Sequence, residues 1–427
     1  MNNKIRDLMT YLDASHSVFH AVEGLKHILE EAGYTRLQES GKWDLQPGGK
    51  YFMTRGGASI MAFRIPECTH KGLMMSASHA DRPCFKVKEN GELVGKYTKL
   101  AVERYGGMLM GTWLDRPLSI AGRVLVETDK GMETRLVNID RDLLLIPNVA
   151  IHMNRKANDG YTWNPAVDLL PLMGSADAKG KLNALLEEAA GGKIIGHDLY
   201  LYIRQKATVW GLEEAFLSSA ALDDLECAYC CTRGFLDASA SASVPVLCVF
   251  DSEEVGSSSV QGAASDLLEN LLTRICKACD WDLMEMLAGS FMVSADNAHA
   301  VHPNHPEFAD ATNAPVINGG VVLKFNANQR YCTDGVSGAI FRKTCEKVNV
   351  PVQSYYNRAD LPGGCTLGNI SLCHVSVPTG DIGLPRLARH SAFESAGVKD
   401  AEYLMDAMAS YYSQSIPCPA DGCYELN

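Results

Sequence analysis

Apolar residues at helical spacing open the chain, and shorter apolar runs follow them. Between Val18 and Leu29 they recur every three or four positions, which predicts an amphipathic helix that ends near Gly33. Two short runs, 51–54 and 60–63, flank a Gly-Gly pair and predict a β-hairpin. The next apolar run, 73–78, is compact enough for a buried strand and leads directly into polar residues.

The pattern changes between about Phe85 and Phe216. Segments in this stretch are β-rich and are separated by Gly and Asp, with a looser Asn, Asp and Gly stretch at 156–180. We expect a β-rich module inserted into the first domain, because the segments do not alternate with helices. Within it, the apolar run 143–151 predicts a buried strand, and His152 at its end reads first as a hydrogen-bonded cap.

Strands and helices alternate in the remainder of the chain. This alternation predicts a largely parallel sheet covered by helices. Helices are expected at 225–236, 264–288, 336–348 and 399–413, and strands at 244–250, 290–294, 320–325, 352–356 and 374–377.

Composition narrows the class of protein. A chain of 427 residues exceeds one average domain, and 46% hydrophobic with 21% charged residues is typical of a globular protein. The formal net charge of −12 argues against nucleic-acid binding and supplies no patch that attracts a membrane. There is no apolar run of transmembrane length and no signal-peptide core, so we expect a cytoplasmic protein.

The fourteen cysteines do not form a disulfide scaffold in a chain of this length. Cys227/Cys230 and Cys276/Cys279 have the spacing of a four-thiolate zinc site. Both pairs lie in apolar stretches that are typical of helices and lack Gly-rich knuckle turns, so we interpret them as buried thiols.

Acidic residues follow the apolar strand 244–250. The sequence there is Asp251-Ser252-Glu253-Glu254-Val255-Gly256-Ser257. If this strand is buried, two adjacent glutamates at its end cannot both ionise without a cation nearby, because burial and mutual repulsion raise their pKa values. A solvated Glu-Glu turn is the alternative when these seven residues are taken alone.

Metal-type ligands stand at five predicted element ends. Each is weak alone: a histidine at a strand end is usually hydrogen-bonded, and an acid at a helix start usually caps the helix. Carboxyl ends of strands meet at one edge of an open α/β sheet, so the set is expected to converge. Two imidazoles and three carboxylates suit two divalent ions, most readily zinc, with cobalt or manganese as alternatives. The five residues are His79, Asp223, Glu254, Asp296 and His390.

The motifs around these residues resemble those of the aspartyl aminopeptidase family, and the likeness covers nearly the whole chain. The resemblance implies a zinc-peptidase-like α/β/α sandwich with an inserted β-rich dimerisation domain, built into a dodecamer from dimers. It also implies removal of single, often acidic, N-terminal residues from peptides. The motifs are Ser78-His79-Ala80-Asp81, Leu222-Asp223-Asp224, residues 251–257, residues 294–304 and Arg389-His390-Ser391.

The resemblance also implies a role for each ligand. Asp223 would bridge two zinc ions. His79 and Asp296 would complete the protein ligands of one ion, and Glu254 and His390 those of the other.

Four further residues receive roles in the same way. Glu253 would be the general base, and Asp81 would orient the centre without binding metal. His152 matches a histidine that reaches a neighbouring subunit's active site, which would replace the interpretation given above. Lys324 stands where the family has a lysine suited to an acidic substrate side chain.

The implied domain division places residues 1–88 and 217–427 in a catalytic domain and 89–216 in the insert. Two positions depart from the family pattern: Asp224 stands where Asn often follows the bridging Asp, and Cys365 replaces a hydroxyl residue. Two rival functions stay open: another di-metal amide hydrolase, such as a deacylase or carboxypeptidase, and a non-catalytic assembly protein of the same fold.

Overall fold

A computed structural model describes residues 3–67 and 72–427 of the chain. A nine-stranded mixed sheet forms its centre, and the middle strands are parallel to one another. In spatial order its strands are Thr35–Arg36, Lys50–Arg55, Ser59–Arg64, Val244–Phe250, Leu73–His79, Phe291–Ala295, Thr379–Gly383, Val321–Lys324 and Val352–Tyr355.

Helices cover both faces of this sheet. Alternate residues of the central strands point to opposite faces, so that Leu247 and Val249 enter one hydrophobic core while Val246 and Phe250 enter the other. The long uninterrupted apolar runs of these strands follow from burial on both sides. One face packs against the helices Asn3–Ala14, Val18–Glu31, Leu222–Asp237, Gly335–Glu346 and Val398–Tyr412, the other against Leu267–Cys279, Leu283–Ala288 and Leu367–Ser371.

The β-rich stretch forms a sheet of its own with a separate hydrophobic core. The helix Lys181–Ala190 contributes Leu182 and Leu186 to that core. The six strands, in spatial order, are Gly131–Asn138, Leu118–Thr128, Ile194–Ile203, Cys84–Val94, Tyr97–Tyr105 and Leu172–Ser175.

A third, five-stranded sheet combines strands from distant parts of the chain. Its strands are Thr208–Trp210, Phe216–Ser219, Glu394–Gly397, Pro385–Leu387 and Ala298–His299. Short 3-10 turns occupy Met110–Trp113, Ala176–Ala178, Glu253–Val255 and Pro306–Phe308. The fold is therefore the expected mixed α/β sandwich with an additional β-rich unit.

Three local predictions were wrong. The expected helix 264–288 is two helices, because Asp280 adopts a left-handed φ of 56° and Asp282 caps a new helix through the Glu285 N–H. The expected strand 374–377 ends before the real one, which is Thr379–Gly383. The run 143–151 is no buried strand: it makes only isolated bridges at Leu144 and Leu145, and its apolar end is exposed.

Candidate metal centre

Three neighbouring parallel strands bring polar residues to one edge of the central sheet. His79 is the last residue of Leu73–His79, and Asp296 directly follows Phe291–Ala295. Glu253 and Glu254 lie in a 3-10 turn three residues beyond Val244–Phe250. Parallel strands present their carboxyl ends on the same side, so these residues meet as predicted from the sequence.

Asp223 and His390 reach the same place from other elements. Asp223 lies at the irregular start of the helix Leu222–Asp237, where the Asp223–Asp224 peptide bond is cis. His390 follows the strand Pro385–Leu387 with a left-handed φ of 68°. Glu394 holds both backbones: its Oε2 accepts the Asp223 N–H at 2.9 Å and its Oε1 accepts the His390 N–H at 2.7 Å.

The five residues form two groups that share Asp223. In one, His79 Nε2 lies 3.9 Å from Asp223 Oδ1 and 3.9 Å from Asp296 Oδ1. In the other, His390 Nε2 lies 3.3 Å from Asp223 Oδ2 and 3.5 Å from Glu254 Oε1. The two oxygens of one buried carboxylate thus face two different histidines.

Unpartnered atoms test whether this set fits a metal. Among the residues that the structure describes, four buried atoms of the set find no hydrogen-bond partner: His79 Nε2, Asp223 Oδ1, Glu254 Oε1 and His390 Nε2. Buried polar atoms without partners are costly and need an explanation. Divalent cations would satisfy them, and imidazole with carboxylate ligands is a donor set that zinc prefers. The centre therefore fits a metal.

Burial and neighbouring charge set opposite pKa directions in the centre. Burial alone would raise the pKa of Asp223, but Arg389 and the adjacent histidines hold it well below its usual range. Burial and the nearby Asp223 raise the pKa of Glu254 well above its usual range. Burial also raises the pKa of Glu253 to about 7. An added cation would stabilise the charged forms of both glutamates.

Asp81 supports the centre without belonging to either group. Its Oδ1 accepts the Glu253 N–H and its Oδ2 the Glu254 N–H, both at 3.1 Å, and Tyr105 donates to Oδ2 at 2.8 Å. The Asp81 backbone oxygen lies 3.1 Å from His79 Nδ1, which leaves His79 Nε2 directed at the cluster. Asp81 therefore fixes the orientation of three residues of the site.

The other residues expected from the sequence occupy different positions. Lys324 is 1% exposed, and its Nζ lies 2.7 Å from the backbone oxygen of Asp296 and 3.3 Å from Asp296 Oδ2. His152 is exposed in a turn of the β-rich unit, and the ligand groups found among the described residues do not include it. Cys365 is exposed, and Arg330 donates to its Sγ at 2.9 Å.

Asp224, the departure beside the bridging position, is completely buried. Its Oδ2 accepts the His79 N–H at 3.2 Å, and its Oδ1 accepts from Asn297 Nδ2 at 2.9 Å. Burial raises its pKa well above the usual range. The extra carboxylate thus supports the backbone of one histidine, and it also lies within one of the possible ligand groups.

Sequence reasoning missed two residues that contact the proposed ligands. Arg389 donates from Nε to Asp223 and from Nη2 to Asp296 Oδ1, the second at 2.7 Å. Glu394 joins the two backbones described above and is paired with the buried Arg386 at 3.1 Å. In the sequence, only the closeness of Arg389 and Glu394 to His390 could have suggested a role for them. Neither residue belongs to a metal-binding sequence motif.

Comparisons with known proteins identify the family of this chain. The family model of the aminopeptidase I zinc metalloproteases (M18) matches residues 11–412. A probable M18 family aminopeptidase 2 of Clostridium novyi is 40% identical over 97% of this chain and 100% of its own length. A similar protein of Ectopseudomonas mendocina, with the same description, is 38% identical over 96% of this chain and 98% of its own.

Solved structures share the fold. A chain in a cryo-EM structure of the Ape4 and Nbr1 complex matches with a TM-score of 0.92 and 34% identity, covering 96% of this chain and 85% of that one. The mApe1 dodecamer of S. cerevisiae matches with a TM-score of 0.85 and 24% identity, covering 96% of each chain. Within the described ranges, no helix is long and apolar enough to cross a membrane. The chain belongs to the M18 family of zinc aminopeptidases.

Proposed function

We propose that this chain removes single N-terminal residues, preferably Asp or Glu, from peptides with two zinc-type ions and Glu253 as the general base. The convergence of His79, Asp223, Glu254, Asp296 and His390 around buried, unpartnered atoms carries the proposal. His79 and Asp296 would hold one ion, and Glu254 and His390 would hold the other. Asp223 would be a ligand of both ions. Cobalt or manganese would suit the same ligands.

When bound, such ions supply Lewis acidity: they withdraw charge from the amide carbonyl and make water a stronger acid. Glu253 accepts the proton that the attacking water loses as its oxygen adds to the carbonyl carbon. The same carboxyl then returns that proton to the amine as the C–N bond breaks. Asp81 contributes by fixing the Glu253 backbone at 3.1 Å.

Glu253 and Glu254 are assigned different roles because they face different neighbours. Glu254 lies 3.5 Å from His390, within the group that shares Asp223. Glu253 Oε2 lies 3.9 Å from His79 and its side chain keeps 10% exposure, so it stands at the edge open to water. It also belongs to a possible ligand group with His79 and Glu254. The assignment therefore needs an experiment that separates a base from a ligand.

Glu253→Gln makes that separation. Loss of the base should lower kcat by about 10²–10⁴-fold while the zinc content per chain stays at the wild-type value. Loss of an ion in this variant would assign Glu253 as a ligand, and retained turnover would exclude it as the base. Assays on free-amine and N-acetylated peptides test the reaction type, because an aminopeptidase needs the unblocked amine whereas a deacylase does not.

Lys324 is the residue we propose for the acidic preference. Its buried ammonium lies beside Asp296, so it places a positive charge next to the ligand cluster. Lys324→Met should lower the ratio of kcat/KM for Asp-peptides to kcat/KM for Ala-peptides. This ratio is its own control, because a general loss of metal lowers both values together. An unchanged ratio would show that Lys324 serves only to hold Asp296.

Assembly is proposed to complete the site. We propose that the segment 89–216 is a dimerisation domain, that the dimers build a dodecamer, and that His152 reaches the active site of a neighbouring subunit. Exposed apolar residues near His152, including Val149, Ile151 and Met153, support an interface there. His152→Ala and Glu253→Gln subunits should each be inactive alone, and mixed assemblies should regain part of the activity. Mixtures as inactive as the separate variants would contradict the proposal.

We also propose that residues 1–88 and 217–427 form the catalytic domain of this assembly, and that the protein is cytoplasmic. The thirteen described cysteines are free thiols, which supports a reducing compartment. Detection of the protein only in an oxidising compartment after cell fractionation would contradict this location.

A further inference from the structure

Arg389 lies within the carboxylate cluster. Its Nε donates to Asp223 Oδ2, its Nη2 donates to Asp296 Oδ1 at 2.7 Å, and its Nη1 donates to the backbone oxygen of Asn297 at 2.8 Å. Arginine stays protonated in proteins, so the guanidinium is charged. The cluster thus contains a fixed positive charge of its own.

The two oxygens that Arg389 contacts are those that the proposed ligand sets need. Asp223 Oδ2 faces His390 Nε2 at 3.3 Å, and Asp296 Oδ1 faces His79 Nε2 at 3.9 Å. One guanidinium therefore takes one carboxylate oxygen from each of the two groups. A divalent ion in either group would need a carboxylate oxygen that already accepts a hydrogen bond from the Arg389 guanidinium.

We propose that Arg389 is the internal counter-cation of this centre, and that two divalent ions bind only by displacing its guanidinium from Asp223 and Asp296. The inference rests on the proposed two-metal function. Arg389 then stabilises the carboxylates in the metal-free chain and opposes metal binding by the same contacts.

The surroundings allow the side chain to move while the backbone stays in place. The His390 N–H is held by Glu394, and the His390 carbonyl accepts the Leu109 N–H at 2.9 Å. On the other side, Arg389 borders an open cavity that is lined also by His299, His302 and Tyr355. A rotated guanidinium would enter this water-accessible space.

Chemical labelling of the wild-type protein tests the displacement. Phenylglyoxal, which modifies arginine, is applied to protein treated with chelator and to protein loaded with zinc, and the modified residues are quantified by mass spectrometry. The Arg389 side chain is 15% exposed while it is paired with Asp223 and Asp296. Its labelling should rise severalfold on zinc loading. Arg135, 37% exposed on the β-rich unit, is the internal reference and should label equally in both states. Unchanged or reduced labelling of Arg389 would overturn the proposal.

Zinc binding gives the second test. In Arg389→Met the competing charge is removed, so zinc affinity in a chelator competition should rise by at least about tenfold. Dissociation of zinc from the loaded variant into excess chelator should slow correspondingly, a measurement that starts from folded, zinc-loaded protein. Arg389→Lys, which keeps the charge, should lie between Arg389→Met and wild type, and Arg135→Met should match wild type.

The outcomes separate this inference from the proposed function. Wild-type protein that binds fewer than two zinc ions per chain under saturating conditions would remove the two-metal function and this inference with it. Two ions in wild type, together with equal zinc affinity in Arg389→Met and wild type, would leave the function standing and overturn only the role of Arg389.

Discussion

Asp81→Asn is expected to destabilise the chain strongly, although the change replaces a single oxygen by nitrogen. The carboxylate of Asp81 is 2% exposed and accepts from three donors: the N–H groups of Glu253 and Glu254 and the Tyr105 hydroxyl. An amide has one oxygen only. Whichever way it is oriented, its NH₂ group must face a backbone N–H of the Glu-Glu turn.

The size of the effect follows from these contacts. One backbone N–H left without an acceptor costs about 1–3 kcal/mol, and one lost hydrogen bond to a charged acceptor costs about 1.5–3 kcal/mol. The free energy of unfolding of Asp81→Asn should therefore fall by about 2.5–6 kcal/mol. Tyr105→Phe removes only one donor and leaves the carboxylate, so it should cost about 1.5–3 kcal/mol.

Urea unfolding in the presence of chelator measures both variants without a contribution from bound metal. The same variants, loaded with zinc, are then assayed for peptide hydrolysis, where Asp81→Asn should lower kcat because the Glu253 backbone is no longer held. A loss of stability below about 1 kcal/mol in Asp81→Asn, or one smaller than in Tyr105→Phe, would refute the contact-based reasoning.

Three other outcomes follow from buried charges and from the metal. Arg386→Met leaves the buried Glu226 and Glu394 without their common cation, so the free energy of unfolding in urea should fall by about 3–5 kcal/mol. Arg204→Met is the control, because its partners Asp140 and Asp142 are exposed, and its unfolding midpoint should stay near wild type. Burial raises the pKa of Asp400 from its ordinary 3.8 to about 7, so the contribution of Asp400 to stability is full below pH 4 and is lost as pH rises to 7, by roughly 3–4 kcal/mol. Asp400→Asn should abolish this pH dependence in unfolding midpoints measured from pH 4 to 8, and an equal slope in the variant would contradict it. Saturating zinc at about 1,000 times Kd should raise stability over chelated protein by about 4 kcal/mol, and calorimetry that shows no shift in Tm would argue against a metal centre.

The sequence predicted three central strands of the main sheet well because they are apolar and buried on both faces, whereas the buried strand Thr379–Gly383, which has few apolar residues, was missed. The runs ending at His79, Phe250 and Ala295 are almost continuously apolar, and a run of this kind has few alternatives to a central strand. The run 143–151 is equally apolar but lies in the β-rich unit, where Val149 and Ile151 are about half exposed, at 52% and 49%. An apolar run therefore predicted a buried strand correctly only where helices cover both faces of the sheet.

The convergence of the proposed ligands could be predicted, whereas the contacts that hold them could not. His79, Glu254 and Asp296 lie at or just beyond the carboxyl ends of neighbouring parallel strands. Their positions relative to the apolar runs are visible in the sequence, so their convergence could be predicted. Glu394 acts through two backbone N–H groups, one of them on Asp223, a residue 171 positions away in sequence. No local pattern distinguishes such a glutamate from a surface residue, because its role depends on where two distant segments meet.

Arg389 shows why a ligand set is not by itself a description of a metal centre. The carboxylates that make the site attractive to zinc also attract any cation that the fold places nearby, and this chain places one on Asp223 and Asp296. Removing that cation without supplying metal would leave buried negative charges unpaired, which is costly in a medium of low dielectric constant. Stability of the fold before metal binds thus favours Arg389 on the carboxylates, whereas tight metal binding requires Arg389 to leave them. A side chain that can leave for the adjoining cavity would meet both demands, whereas one buried on all sides could meet only the first.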